Sequence, residues 1–136
     1  MTVMKSDNIK FEHEIIIGMV TPGSTVLELG CGTGDLLSLL TEKRQVHAQG
    51  LEISEQAIYQ CVSKGVSVLH GDIESGLSEY AARSFDYVIL QQTFQELRSP
   101  DLVITDALRV GKKVIVSFPN FVDWRARYQL CFKGRV

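Results

Sequence analysis

The 136-residue sequence predicts an α/β domain, a mostly parallel sheet flanked by helices. Three observations carry the prediction. Strand-type and helix-type segments alternate with short punctuation, the pattern of a sheet built from crossovers. Tyr87-Val88-Ile89-Leu90 is apolar on both alternating faces, as in a strand covered from both sides. Val26-Leu27-Glu28-Leu29 runs into a turn holding Gly30, Gly32 and Gly34, which opens directly into an apolar-periodic helix.

The elements follow in order. A first helix is predicted over 10–20 and stops at Thr21-Pro22-Gly23. Strand one is 25–29, followed by a helix over 35–43 with Leu36, Leu37, Leu39 and Leu40 as its buried stripe. Strand two is 47–52. Ser54 offers the N-cap oxygen of a helix over 55–64, and Gly65 is its stop. Strand three is placed at 66–70, a short helical turn at 74–81 and strand four at 85–90. A helix over 101–110 ends at Gly111, and strand five is 113–118. The last segment, 121–132, mixes Trp124, Tyr128, Leu130 and Phe132 with Arg125 and Arg127 at helical spacing. No linker or repeat interrupts residues 1–136, which read as one domain. The fifth strand is left as an open edge, and this predicts a homodimer paired through it.

Composition excludes several classes. A hydrophobic fraction of 45% and a charged fraction of 22% are those of an ordinary globular protein. A net charge of −2 gives no global attraction to nucleic acid or an anionic membrane. No apolar run approaches the roughly 18 residues of a membrane helix, and the polar N-terminus lacks the apolar core of a signal peptide. Cys31, Cys61 and Cys131 are widely spaced without C-x-x-C, which fits reduced thiols in a cytoplasmic protein better than disulfides or zinc. His13, His47 and His70 lack metal-ligand spacing, so no metal is expected. Seven of the 14 Lys/Arg residues fall in the last 28 positions, but no RNA-recognition motif accompanies them, and nucleic-acid binding is not expected.

The glycine turn narrows the ligand. G-x-G-x-x-G is excluded because its third glycine would fall on Asp35, and no G-K-[ST] follows for a phosphate loop. What stands is E-x-G-x-G-x-G, from Glu28 to Gly34, which resembles the first motif of class I S-adenosylmethionine (SAM)-dependent methyltransferases. The resemblance implies a Rossmann-like class I methyltransferase fold. Its sheet has seven strands, so the chain is predicted to lack the C-terminal strands and to be C-terminally incomplete. In such a sheet ligands bind beyond the carboxyl ends of the strands. Candidate cofactor-binding residues fall there in order: Glu28, Gly30, Cys31, Gly32 and Gly34 at strand one; Glu52 and Ile53 at strand two; Asp72 and Ile73 after strand three; Gln91 after strand four. Glu52 can accept from both ribose hydroxyls, Asp72 from an exocyclic amine, and Ile73 can lie on a purine face. Glu28 is the residue whose class I counterpart faces the methionine ammonium. The charges agree, because SAM is cationic and carries no phosphate, and the turn contains acids but no lysine or arginine.

A closer resemblance is to the methionine-biosynthesis family MetW. It rests on 11–16 (Phe-Glu-His-Glu-Ile-Ile), 26–34, 50–53, Gly71-Asp72, 84–90, 108–111 and the particular Ser117-Phe118-Pro119-Asn120-Phe121 followed by Trp124-Arg125. The resemblance implies a role in methionine synthesis beside homoserine O-acetyltransferase. Two readings stay open. One is a methyltransferase acting on a small molecule, since the Asn/Asp-Pro-Pro-Tyr motif of many N-methyltransferases is missing after strand four. Its catalytic residues are undetermined, with His13, Gln91, Gln92, Thr93 and Glu96 as candidates. The other is a non-catalytic, SAM-sensing partner of homoserine O-acetyltransferase.

Overall fold

The computed structural model describes residues 2–91, 97–119 and 128–134, with side chains over 10–90 and 97–117. Helix α1 (Thr2–Met19) leads through a short turn into β1 (Thr25–Leu29). Then come α2 (Asp35–Arg44), β2 (His47–Glu52), α3 (Glu55–Ser63) and β3 (Val68–His70). A short α4 (Ile73–Gly76) continues as a 3-10 turn at Leu77–Glu79 before β4 (Phe85–Gln91), α5 (Pro100–Val110), β5 (Gly111–Pro119) and β6 (Tyr128–Gly134). The strands form one sheet of order β3-β2-β1-β4-β5-β6. β1 to β5 pair in parallel, and β6 is antiparallel to β5.

Alternation along the strands divides the core. Val26, Tyr87, Ile89 and Ile115 face α1 and α2 and pack on Ile16, Val20, Leu37 and Leu40. Leu27, Leu29, Val88, Leu90, Val114 and Val116 face the other side, against α5 and Leu77. Both faces of β1 and β4 are therefore dry, as their continuous apolar runs require.

Local signals set most boundaries. Ser54 Oγ accepts the Ala57 N–H at 3.3 Å to start α3. Lys43 and Arg44 occupy the last turn of α2, where cations favour the helix dipole. β3 begins at Val68 rather than 66, because the Val66 N–H closes the end of α3 on the Cys61 carbonyl at 2.9 Å. α1 begins at Thr2 rather than at 10, since extending a helix already anchored by a buried face adds a hydrogen bond per residue.

The C-terminal expectation needs correction. Of the segment 121–132 read as helical, residues 128–132 belong to strand β6, which is registered from Lys113↔Gly134 to Pro119↔Tyr128, and 121–127 lie outside the described residues. The sheet thus has six strands instead of five, and one further C-terminal strand is present. β6 takes up the hydrogen-bonding edge of β5, so the edge invoked for a homodimer is already filled.

At the opposite end of the sheet Asp86 ties β4 to β1. Its Oδ2 accepts the Thr25 N–H at 2.9 Å and the Thr25 hydroxyl at 3.1 Å, and Lys112 Nζ lies 3.2 Å from Oδ1. The Thr25 N–H, then Lys112, hold its carboxyl below the ordinary value of 3.8. The resulting stability is present above that value and is lost as pH falls through the lower folded one. Asp86→Ala is expected to cost about 1–2 kcal/mol at pH 7 for a part-exposed site. The difference should shrink towards pH 3 in urea unfolding; an undiminished cost there would exclude the charge as its source.

Candidate functional site

The site is built by the turns at the carboxyl ends of β1, β2 and β3. Gly30, Gly32 and Gly34 take φ of 69°, 57° and 84°, a left-handed backbone that only glycine adopts freely. The Gly30 N–H donates to the Leu51 carbonyl at 2.7 Å, and the Gly34 N–H to the Cys31 carbonyl at 3.0 Å, so the turn is hung on β2. Glu52 completes the attachment. Its Oε1 accepts the Gly32 N–H at 2.8 Å, and its Oε2 accepts the N–H groups of Ile53 at 3.1 Å and Ser54 at 2.9 Å. An ionised carboxylate has about four lone-pair sites, so three bonds leave it capacity for a further donor.

Cys31 is packed inward. Its Sγ lies 3.8 Å from Cys61 Sγ, and the Cys61 thiol donates to the Gly32 carbonyl at 3.1 Å. Burial first, then the nearby Glu28 charge, pushes the Cys31 thiol well above its usual range, which suits a packing side chain and not a nucleophile.

Glu28 is 2% exposed, and its Oε1 has no hydrogen-bond partner among the described residues. Burial pushes its carboxyl well above the usual range, with the charges of Glu12, Glu52 and Asp35 adding to the effect. After β3, Asp72 caps α4 by accepting the Glu74 N–H on Oδ1 at 3.0 Å. Gly30, Glu52, Ile53, Asp72, Ile73 and Leu97 line one cavity of about 210 Å³. Glu28, Cys31, Gly32 and Gly34 are not among the residues that line it. Gln91 ends β4 in register with Ser117, and its side chain lies outside the described residues, as do Gln92, Thr93 and Glu96. His13 lines a second cavity of about 530 Å³ between α1 and α2, and burial lowers its pKa against the opposing pull of Asp35.

Three residues escaped the sequence reading. Glu12 is fully buried on α1, one turn before the core residue Ile16. Its i, i+4 relation to Ile16 on an apolar stripe was the available signal. Glu74 accepts the N–H groups of Arg98 at 3.1 Å and Ser99 at 2.9 Å, holding the entry to α5 beside the cavity. Ser117 is fully buried, and its hydroxyl has no partner among the described residues.

Among the described residues no cluster of ligating side chains could hold a metal, and no helix is long and apolar enough to cross a membrane.

Comparison with known proteins bears on the family and the fold. The family described as "Methionine biosynthesis protein MetW" matches residues 10–136. A bifunctional methionine biosynthesis protein MetXA/MetW from Rhodopirellula baltica is 31% identical over 132 residues, covering 91% of this chain and 21% of that protein. A SAM-dependent methyltransferase from Archaeoglobus fulgidus superposes with a TM-score of 0.76 at 20% identity, over 86% of this chain and 54% of the other. The cyclase SpnF superposes with a TM-score of 0.69 at 21% identity, over 82% and 48%. The chain thus spans about half the length of these structures and about a fifth of the bifunctional relative.

Proposed function

The chain belongs to the MetW family of methionine biosynthesis proteins, and from that premise we propose that it binds SAM across the carboxyl ends of β1, β2 and β3. The observation carrying this reading is the turn of three left-handed glycines fastened by Glu52 beside a cavity lined by Asp72, Ile53 and Ile73. The donor set fits the cofactor: carboxylates for a cation and for ribose hydroxyls, no lysine or arginine within the turn, and a buried carboxylate oxygen awaiting a donor. Glu52 would hold the ribose, Asp72 the adenine amine, Ile53 and Ile73 the purine faces, and Glu28 the ammonium. The glycines let backbone approach the ligand where a Cβ would intrude.

Bound SAM supplies an activated methyl group. This chain's part is then chiefly to orient an acceptor and exclude water, and positioning alone can contribute roughly 7–11 kcal/mol. A small-molecule acceptor is favoured over a nucleic-acid base, because Leu90-Gln91-Gln92-Thr93 replaces the motif that grips a planar amine. The fold licenses cofactor binding more directly than it licenses turnover.

Glu52→Ala is the test. Calorimetric titration of the folded wild-type chain should show SAM binding, with affinity reduced at least tenfold in the variant. Equal binding by both would remove the ribose role of Glu52.

A second reading has its own observation. In the R. baltica relative, MetXA and MetW are joined in one protein. In this reading the chain is a non-catalytic partner of homoserine O-acetyltransferase that senses SAM, which requires partner affinity to differ with and without ligand. Association unchanged by SAM and by Glu52→Ala would exclude the sensing.

A further inference from the structure

We propose that Cys31 and Cys61 close into a reversible disulfide when a hydroperoxide oxidises them, fastening the glycine turn to α3 and weakening the site the turn supports. The bond itself stands on the thiol geometry; its effect on ligand rests on the SAM reading above.

Thirty positions separate the two cysteines in sequence, and the fold brings them together. Cys31 lies between Gly30 and Gly32 in the turn after β1, and Cys61 is buried on the core side of α3. Both are free thiols, with Sγ 3.8 Å from Sγ. Neighbouring bonds hold the turn and the helix in this relation. Lys64, just past α3, donates to the Thr33 carbonyl at 2.8 Å and pairs with Asp35 Oδ1 at 2.6 Å. On β2, Gly50 presents no Cβ, and one there would overlap Cys31 Sγ. Cys131 is on β6, at the opposite edge of the sheet from β3, against which α3 packs.

The chemistry balances with one peroxide. Cys31 has some exposed surface, 6% against 0% for Cys61, and is the first to meet it. As thiolate, its sulfur takes one peroxide oxygen: an S–O bond forms, the O–O bond breaks, and the leaving hydroxide gains the thiol proton as water. The Cys61 sulfur then displaces the hydroxyl from the Cys31 sulfenic acid. An S–S bond forms, the S–O bond breaks, and the hydroxyl leaves with the Cys61 proton as a second water. Two thiols are oxidised by two electrons and one peroxide is reduced to two waters. Burial raises both thiols above their ordinary range, so the pair reacts through a small ionised fraction and is otherwise inert packing. A thiol reductant reverses the bond by exchange.

Oxidation reaches the ligand site through Gly32. In the reduced form the Gly32 carbonyl faces the Cys61 thiol at 3.1 Å and the Cys31 thiol at 3.9 Å. The disulfide removes both S–H hydrogens and draws the sulfurs in from 3.8 Å to about 2.05 Å. The N–H of the same Gly32 is the donor held by Glu52 Oε1, so the carboxylate assigned to the ribose loses its setting. By reciprocity, bound SAM favours the reduced pair by the factor through which oxidation weakens SAM.

The test treats the folded, reduced chain with hydrogen peroxide and maps its peptides without reduction. The expected product is a Cys31–Cys61 cross-linked peptide lighter by two hydrogens, with Cys131 still open to alkylation and the bond cleaved by dithiothreitol. Cys31 and Cys61 both remaining alkylatable, or either one joined to Cys131, would overturn the proposal. In calorimetry the oxidised chain should bind SAM roughly tenfold more weakly, a typical coupling between two sites, with recovery after dithiothreitol. Equal affinity of the two forms would overturn the coupling to the site. Cys61→Ser keeps a hydroxyl donor for the Gly32 carbonyl, and its SAM affinity should not change on peroxide treatment; a loss equal to that of wild type would place the effect on another residue and overturn the proposal. Failure of the reduced chain to bind SAM would overturn the SAM reading and the coupling together, whereas the peptide map decides the disulfide separately.

Discussion

Gly50→Ala is expected to destabilise the protein by about 2–3 kcal/mol and to impair SAM binding in the same step. The sign is the informative part. Gly50 lies within β2 at an ordinary strand φ, where Gly→Ala usually stabilises by about 0.4–1 kcal/mol through the unfolded chain. Here an added Cβ would meet Cys31 Cβ at 2.9 Å and overlap its Sγ, with Leu37 at 3.3 Å behind. Cys31 cannot withdraw alone. Its neighbour Gly30 is bonded to Leu51, and Gly32 is bonded to Glu52 and receives the Cys61 thiol. Any relief of the clash therefore moves the turn on which the site is built. Urea unfolding and SAM titration of the variant provide the check. Adding Cys31→Ala removes the sulfur and should recover part of the lost stability; full additivity of the two changes would show that the contact is not the cause.

Glu28→Gln should separate stability from binding. The Glu28 carboxyl sits above its unfolded value of 4.5. Such a group contributes fully when protonated, and its contribution is lost as pH rises from the unfolded value through the raised folded one. Glutamine keeps the shape and never ionises. The variant is thus expected to gain on wild type as pH rises above the unfolded value of 4.5, because wild type alone loses stability there. A stability difference independent of pH would mean that Glu28 is not a buried acid in the folded chain. SAM affinity should move the other way. Exchanging a charged partner of an ammonium for an amide removes a bond worth about 1.5–3 kcal/mol, roughly ten- to a hundredfold in Kd. A site whose stability improves when its function is removed is one shaped for a ligand rather than for the free fold.

Sequence and tertiary structure contributed different things. The order of strands and helices, the parallel sheet and the glycine turn were legible along the chain. Each depends on local period, on capping such as Ser54, or on positive φ at Gly30, Gly32 and Gly34. β1 and β2 have the predicted bounds, Thr25–Leu29 and His47–Glu52. The candidates Glu52, Asp72, Ile53 and Ile73 do converge on one cavity, because parallel strands deliver their following turns to the same edge.

Other features depended on partners distant in sequence. Tyr128–Gly134 is a strand because β5 offers an unpaired edge, which outweighed a helical reading of the same residues. Glu52 holds the glycine turn as well as facing the cavity, through a bond to Gly32 twenty positions earlier. The importance of Gly50 lies in what stands opposite it, and Glu12 is buried only once α1 packs on the sheet. Periodicity and backbone preference are properties of neighbours in sequence, and one chain displays them by itself. Burial, edge pairing and the ionisation of a buried carboxyl such as Glu28 are properties of neighbours in space, and only the folded molecule decides them.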